Sequence, residues 1–457
     1  MSESKMTQPE LIPSPKTTFQ RLLKPLGTPL LSIAIAFIIG GLVIWLTSGS
    51  FQTMLQAYEG LLKGAFLKQR GLSETLVATI PYIFLSLAVA VGFKTGLFNI
   101  GVEGQFYIGA ICAAYVGQVL PNVPAIIHLP LTLLAAVLGG ALWAGIPGYL
   151  KARTGAHEVI TTIMMNYIAF RLVEFLVSGP VKDQYSTAVQ TPPSAKSAWL
   201  WSLASIPQRL QDPLNALGAA LFIAFLAYLL ARWIIGRTSL KTRWQQGHQK
   251  MFICSGFALI IGLLIFLALP PISRIYWPFT DQYDRLHIGL LLAVCASVLV
   301  WWLLWKTTLG FELRTVGANA NAARYAGINI TRSIVVAMAI SGALAGVAGG
   351  VEVLGVSDCH CLPMFFSSGY GFDSIAISLL AKNDPLGILA AAFLFGAMRN
   401  GADLMELNSG VSKYIISLIQ ALALLFVAAP AIIRTLVSFR IRKQIKEEHP
   451  ISTRPGG

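Results

Sequence analysis

About twelve stretches of this chain are apolar runs of the kind that cross a lipid bilayer. They lie roughly at 29–47, 74–93, 98–119, 126–150, 157–177, 214–236, 251–270, 287–305, 331–354, 372–381, 385–400 and 411–433. Lipid offers no partner for backbone N–H and C=O groups, so only helices or closed barrels span it. Runs of about 17–25 residues suit helices and exceed barrel strands. The tenth run is too short to cross alone and reads as a half-helix or a broken segment shielded by protein or a wet cavity. Composition agrees: 55% of residues are hydrophobic and 12% charged, against roughly 25% charged in soluble domains. The expected fold class is all-α, a polytopic integral membrane helical bundle of about 10–12 transmembrane helices with a broken helix near 93–100.

Charge placement orders the bundle. The net charge of +14 does not point to nucleic acid, because the basic residues are scattered in short loops where they act as topology signals. With the N-terminus inside, Lys5, Lys16, Arg21, Lys24, Lys151, Arg153, Arg237, Lys241, Arg243 and Lys250 fall on the inner face. Residues 1–28 then form a cytoplasmic segment, 29–433 a transmembrane domain, and 434–457 a basic cytoplasmic tail. That tail, "RIRKQIKEEHP", is a stop-transfer signal or a contact for anionic membrane lipid. Two outer loops are long. One, 178–213, carries Trp199, Leu200 and Trp201; the other, 271–286, carries Trp277 and Tyr283. Tryptophan there reads as interfacial anchoring or as a docking point for an external partner. The first apolar run is read as a retained helix and not a cleaved signal. Three of the five cysteines lie in apolar runs, which implies no disulfide framework.

Polar groups inside apolar surroundings mark the places to look for function. "KTGLFNIGVEGQ" (94–105) puts Asn99, Glu103 and Gln105 between two apolar runs. Gly96, Gly101 and Gly104 allow the backbone to break or approach a neighbour, and Glu103 near a new helix start favours the positive end of its dipole. Such discontinuous helices line polar pathways in transporters; the alternative is a boundary turn with a Glu103–Lys94 pair. Asn166, mid-span, is an interhelical hydrogen bonder or a pathway residue. Arg171 and Glu174 stand at i, i+3 and pair on one helical face.

Other motifs read as structural. Gly342, Gly346 and Gly350 at i, i+4, i+8 make a flat face for close helix packing. Cys359, His360 and Cys361 are metal-capable types without zinc-site spacing, so no metal is expected. The inner loop 306–330 is polar but rich in helix formers after Asn319, with Gly327 placed to cap; it is a docking element or an idle surface helix. Gly-Lys never occurs, so no Walker A loop is present. The histidine–aspartate spacing of common membrane acyltransferases is missing too. No nucleophile–base arrangement is visible, and no catalytic residue is assigned.

Taken together, "GLFNIGVEGQF" (96–106), "HEVITTIMMNYIA" (157–169), "GPVKD" (179–183) with "QTPP" (190–193), "TTLGFELRTVGANANAARYAGI" (307–328) and "GYGFDSIAISLLAKNDPLGI" (369–388) carry a family likeness. The chain resembles the permease subunits of ABC importers of the branched-chain amino acid, ribose and nucleoside type, most of all the nucleoside (purine/simple-sugar) permeases. That resemblance implies one half of a permease pair, with a paralogous second permease subunit. ABC ATPase subunits would bind the ATP, so the chain needs no cofactor of its own, and an extracytoplasmic solute-binding (lipo)protein would deliver a small-molecule solute. It implies a prokaryotic cell membrane, with both termini cytoplasmic. Carried over by motif, the coupling helix that enters the ATPase would span 317–328, with Gly317, Asn319, Ala322, Ala323, Arg324, Tyr325 and Gly327. Asn99, Glu103, Gln105, Asn166 and Asp373 would lie near the pathway. Residues 214–270 depart from the pattern as an extra helix pair. The competing expectation is a stand-alone ion-coupled secondary transporter or channel, which accounts for Glu103 and Arg171 but not for the polar inner helix.

Overall fold

The computed structural model describes residues 18–206, 213–237, 255, 260–264 and 285–428. The expected segments at 1–17, the basic loop 238–250, most of the second extra span, most of the loop 271–286 and the tail 434–457 lie outside the described residues. Among those described, the chain is helical with two isolated β-bridges. The helices are α1 (Thr18–Ser48), α2 (Phe51–Leu62), α3 (Gly71–Lys94), α4 (Val102–Val119), α5 (Ala125–Thr154), α6 (Glu158–Ser178) and α7 (Pro213–Arg237). They continue with α8 (Gly289–Lys306), α9 (Thr308–Ala318), α10 (Ala320–Tyr325), α11 (Ile330–Val351), α12 (Tyr370–Leu380), α13 (Gly387–Ser409) and α14 (Tyr414–Ala428). By length and composition, 7 of the helices are able to cross a membrane, and the fold is a polytopic helical bundle.

Apolarity alone does not set burial. The window of α3 is 83% buried, while those of α5, α6 and α8 are 28% buried. Helix α3 is therefore the inner post, and the others turn wide faces outward, as helices solvated by lipid or by a second protein do. Around α3, helices α4, α5 and α11 pack backbone to backbone. A Cβ on Gly342 would collide with the Gly140 carbonyl, and one on Gly346 with the Ala136 carbonyl. Gly109 meets Gly346 in the same way from α4. The flat glycine face expected from 342, 346 and 350 is thus the seam between α11 and its two neighbours, and small residues allow the close approach.

The break expected near 93–100 lies at 95–101, between α3 and α4. The short tenth run is α12, with 11 residues. Helix α2 was not expected: its glutamines and glutamate interrupt the apolar run, yet Gly60 seats it against Met405 of α13, and Gly64 in the turn that follows meets Gly401. Of the extra pair, α7 is present, with Gly218 against Ile126 and Gly262 against Ala224. Helix α7 meets the bundle through α5.

One loop reading is corrected. Cys359 and Cys361 form a disulfide, so the absence of a disulfide framework does not extend to this loop. Trp199 is tied into its own loop. Its indole N–H donates to the Ser194 carbonyl at 2.8 Å and its ring stacks on His360 at 3.8 Å. Loop 189–203 instead runs along the 354–364 segment through Thr191 N to Leu362 O, Ser194 N to His360 O and Leu200 N to Leu354 O. Leu200 is buried in that pairing and Trp199 half-buried.

Candidate functional site

The site grows out of two helices that start inside the bundle without caps of their own. Helix α4 begins after Gly101, which has no side chain to accept from the first-turn N–H groups. Those groups are costly to leave unpaired away from water. Asn166 of α6 supplies the cap from across the interface: its Oδ1 accepts from Gly104 N at 2.8 Å, and its Nδ2 donates to Ile100 O at 2.9 Å. Helix α12 begins after Gly369, held at φ 94° with no side-chain cap. Here Glu103 of α4 supplies the acceptor. Gly371 N–H donates to Oε2 and the Ser367 hydroxyl to Oε1, both at 2.5 Å.

Asn99 and Gln105 complete the break. Asn99 Nδ2 donates to Gln105 Oε1 at 3.0 Å and to Ser341 Oγ at 2.8 Å, and Gln105 Nε2 returns a bond to Asn99 Oδ1. Both side chains are buried. The Glu103–Lys94 pair is not formed, since the Glu103 oxygens are held by the α12 start and Lys94 lies over Trp305. The Arg171–Glu174 pair expected at i, i+3 is formed, at 2.6 Å.

Two cavities flank the start of α12. The first, of about 350 Å³, is lined by Glu103, Tyr107, Tyr167, Phe170, Phe365 and Phe372, with Arg171 and Glu174 also at its wall. The second, of about 430 Å³, is lined by Tyr82, Asp373, Arg399, Asp403, Lys413 and Gln420. Asp373 accepts there from the Tyr82 hydroxyl at 2.9 Å, and Arg399 contacts Tyr82 and Ser368. Of the residues expected near the pathway, Glu103 and Asp373 each face a cavity, on either side of α12. Asn99, Gln105 and Asn166 line neither of the two; they hold the break in shape. Arg399 and the aromatic residues of the first cavity were not foreseen. An arginine in an otherwise apolar run, "AAAFLFGAMRNG", was the available signal.

On the face bearing loop 306–330, α9 and α10 project from the bundle. Asn319 caps α10, its Oδ1 accepting from Asn321 N and Ala322 N. Ala323 is buried, while Asn319, Ala322, Arg324 and Gly327 are exposed and Tyr325 is 95% exposed. Gly327 turns the chain at φ 77°. Gly317 packs on the break itself: a Cβ there would strike the Lys94 carbonyl and come within 2.9 Å of Gly96 N.

This arrangement has relatives. Residues 71–429 match the family described as branched-chain amino acid transport system / permease component. The chain belongs to this permease family. Among similar proteins is a guanosine ABC transporter permease, NupP of Bacillus subtilis, 34% identical over 90% of this chain and 95% of the relative. A nucleoside ABC transporter permease, NupB of Lactococcus lactis, is 30% identical over 90% of this chain and 92% of its own. A glucose ABC transporter permease, TsgB13 of Haloferax volcanii, is 30% identical over 88% and 86%. No solved structure matches. As a member of the permease family the chain is a multi-pass transport subunit of an ABC importer.

Proposed function

We propose that this permease forms the translocation pathway for nucleosides or a related small polar solute, in a prokaryotic cell membrane with both termini cytoplasmic. A transmembrane domain over 29–433 carries the pathway, with Glu103 and Asp373 at it. ATP is bound and hydrolysed by separate ABC ATPase subunits that dock on 306–330. A second permease subunit, a paralogue, completes the corridor, and an extracytoplasmic solute-binding lipoprotein delivers the solute. The names of the guanosine and nucleoside relatives support the solute class. A stand-alone secondary transporter is disfavoured by family membership.

The observation that carries the docking reading is the capped, exposed α10, whose neighbour Gly317 touches the break at 94–96. A push on α10 reaches, through Gly317, the backbone of the break that precedes α4 and Glu103. In the assembled transporter, Arg324→Ala is expected to lower solute uptake at least tenfold while ATP hydrolysis continues and the solute receptor still binds. Uptake and hydrolysis that stay in wild-type proportion in reconstituted vesicles would remove the docking role. Purifying the chain with its ATPase subunits is the parallel check; ion-driven uptake by the chain alone would overturn the whole reading.

A further inference from the structure

The cavity against Glu103 has a wall chemistry that selects among solutes. The carboxylate is 2% exposed, and two of its roughly four lone-pair sites are taken by Ser367 and Gly371. The rest are free to accept. Around it stand aromatic side chains: Tyr107 lies 4.7 Å from Phe170 and 4.6 Å from Phe366, ring to ring. Phe365 is 72% exposed and is held at φ 59°, a left-handed conformation uncommon for a bulky residue. Such strain is retained where surrounding structure imposes it, and it concentrates at ligand-binding positions.

The mouth of the cavity is wet or protein-covered. Arg171 is 81% exposed and lies well inside α6, paired only at its edge with Glu174. A guanidinium in such a span does not face hydrocarbon. The cavity volume of about 350 Å³ suits a small solute, at the low end of the usual range of about 300–1,000 Å³.

We propose that this cavity binds the planar heterocyclic ring of the solute, with Glu103 accepting from ring N–H donors and aromatic faces enclosing the ring. The inference rests on the nucleoside reading above and narrows it. A free hexose carries hydroxyls around its whole ring, and even with Glu103, Arg171 and Glu174 receiving some, those turned to the phenyl rings of Phe170, Phe366 and Phe372 would stay unpaired at a cost. A nucleobase presents two apolar faces and one donor-bearing edge, which is what the walls offer. Arg171 and Glu174 at the mouth then meet the hydroxyls of an attached sugar.

The test uses the complete transporter in lipid vesicles and 8-azidoguanosine as a photoreactive probe. Label is expected on peptides covering 167–170 and 363–372, displaced by guanosine and not by ribose or glucose. Phe365→Leu, a change at an exposed position, is expected to raise the guanosine concentration needed for displacement about tenfold, and Phe365→Trp to leave it near wild type. ATP-driven guanosine uptake with label elsewhere, or displacement by ribose as effective as by guanosine, overturns the ring site while the transport reading stands. Absence of any ATP-driven nucleoside uptake overturns both. An unchanged displacement curve in Phe365→Leu also counts against the ring site.

Discussion

Gly346→Val is expected to abolish the recovery of folded protein or to lower its unfolding midpoint sharply. At this position α11 has neighbours on two sides. A Cβ would run into the Ala136 carbonyl of α5 and lie 3.2 Å from the Gly140 Cα one turn on, while Gly109 of α4 already meets the Gly346 backbone. None of these is the far end of a flexible side chain, so relief requires moving a helix. Overpacking a well-filled interior costs about 1–3 kcal/mol, occasionally more, and contact with rigid backbone from two helices places this substitution at the upper end. Gly145→Ala is the control. It lies in the same α5, no atom stands within 4 Å of its added Cβ, and a mid-helix glycine-to-alanine change favours the helix by roughly 0.5–1 kcal/mol. Thermal unfolding in detergent, followed by size-exclusion, reads both. Equal midpoints for Gly346→Val and wild type would show that the seam is not close-packed.

The second large effect is expected from Asn166→Leu. The substitution keeps the size of the side chain but removes both of its bonds, orphaning the Gly104 N–H and the Ile100 carbonyl. Each buried unpaired group costs about 1–3 kcal/mol, and no water inside a bilayer replaces the lost partner. The start of α4 is then released, and with it Glu103, which carries the start of α12. Uptake is expected to fall by at least tenfold even in the fraction of protein that folds. Asn166→Asp, which keeps the acceptor for Gly104 N but not the donor, is expected to fall between. Full uptake and unchanged stability in Asn166→Leu would mean that α4 starts without help from α6.

Much of this architecture was legible in the residues. Apolar runs located the spans, glycines at 96 and 101 located the break, and the spacing of 342, 346 and 350 located the seam. These signals are local or periodic. The caps were not legible in the same way, because Asn166 serves Gly104 and Glu103 serves Gly371 across long stretches of sequence. Their polarity flagged them as functional, and the structure divides them: Asn99, Gln105 and Asn166 satisfy backbone and one another, while Glu103 both caps and faces a cavity. Helix α2 escaped notice because its contacts, not its hydropathy, make it stable. The pairing of the Trp199 loop was not legible because its partner segment, 354–364, lies far along the sequence.

The glycine seam also has a kinematic consequence. Surfaces that meet at carbonyl oxygens and Cα atoms cannot slide a fraction of a turn without collision, so α4, α5 and α11 are a stator. The same close fit extends to α12, where a Cβ on Gly371 would lie 2.7 Å from the Cα and the backbone N of Glu103 in α4, so internal movement of the bundle has to be carried by elements outside these four.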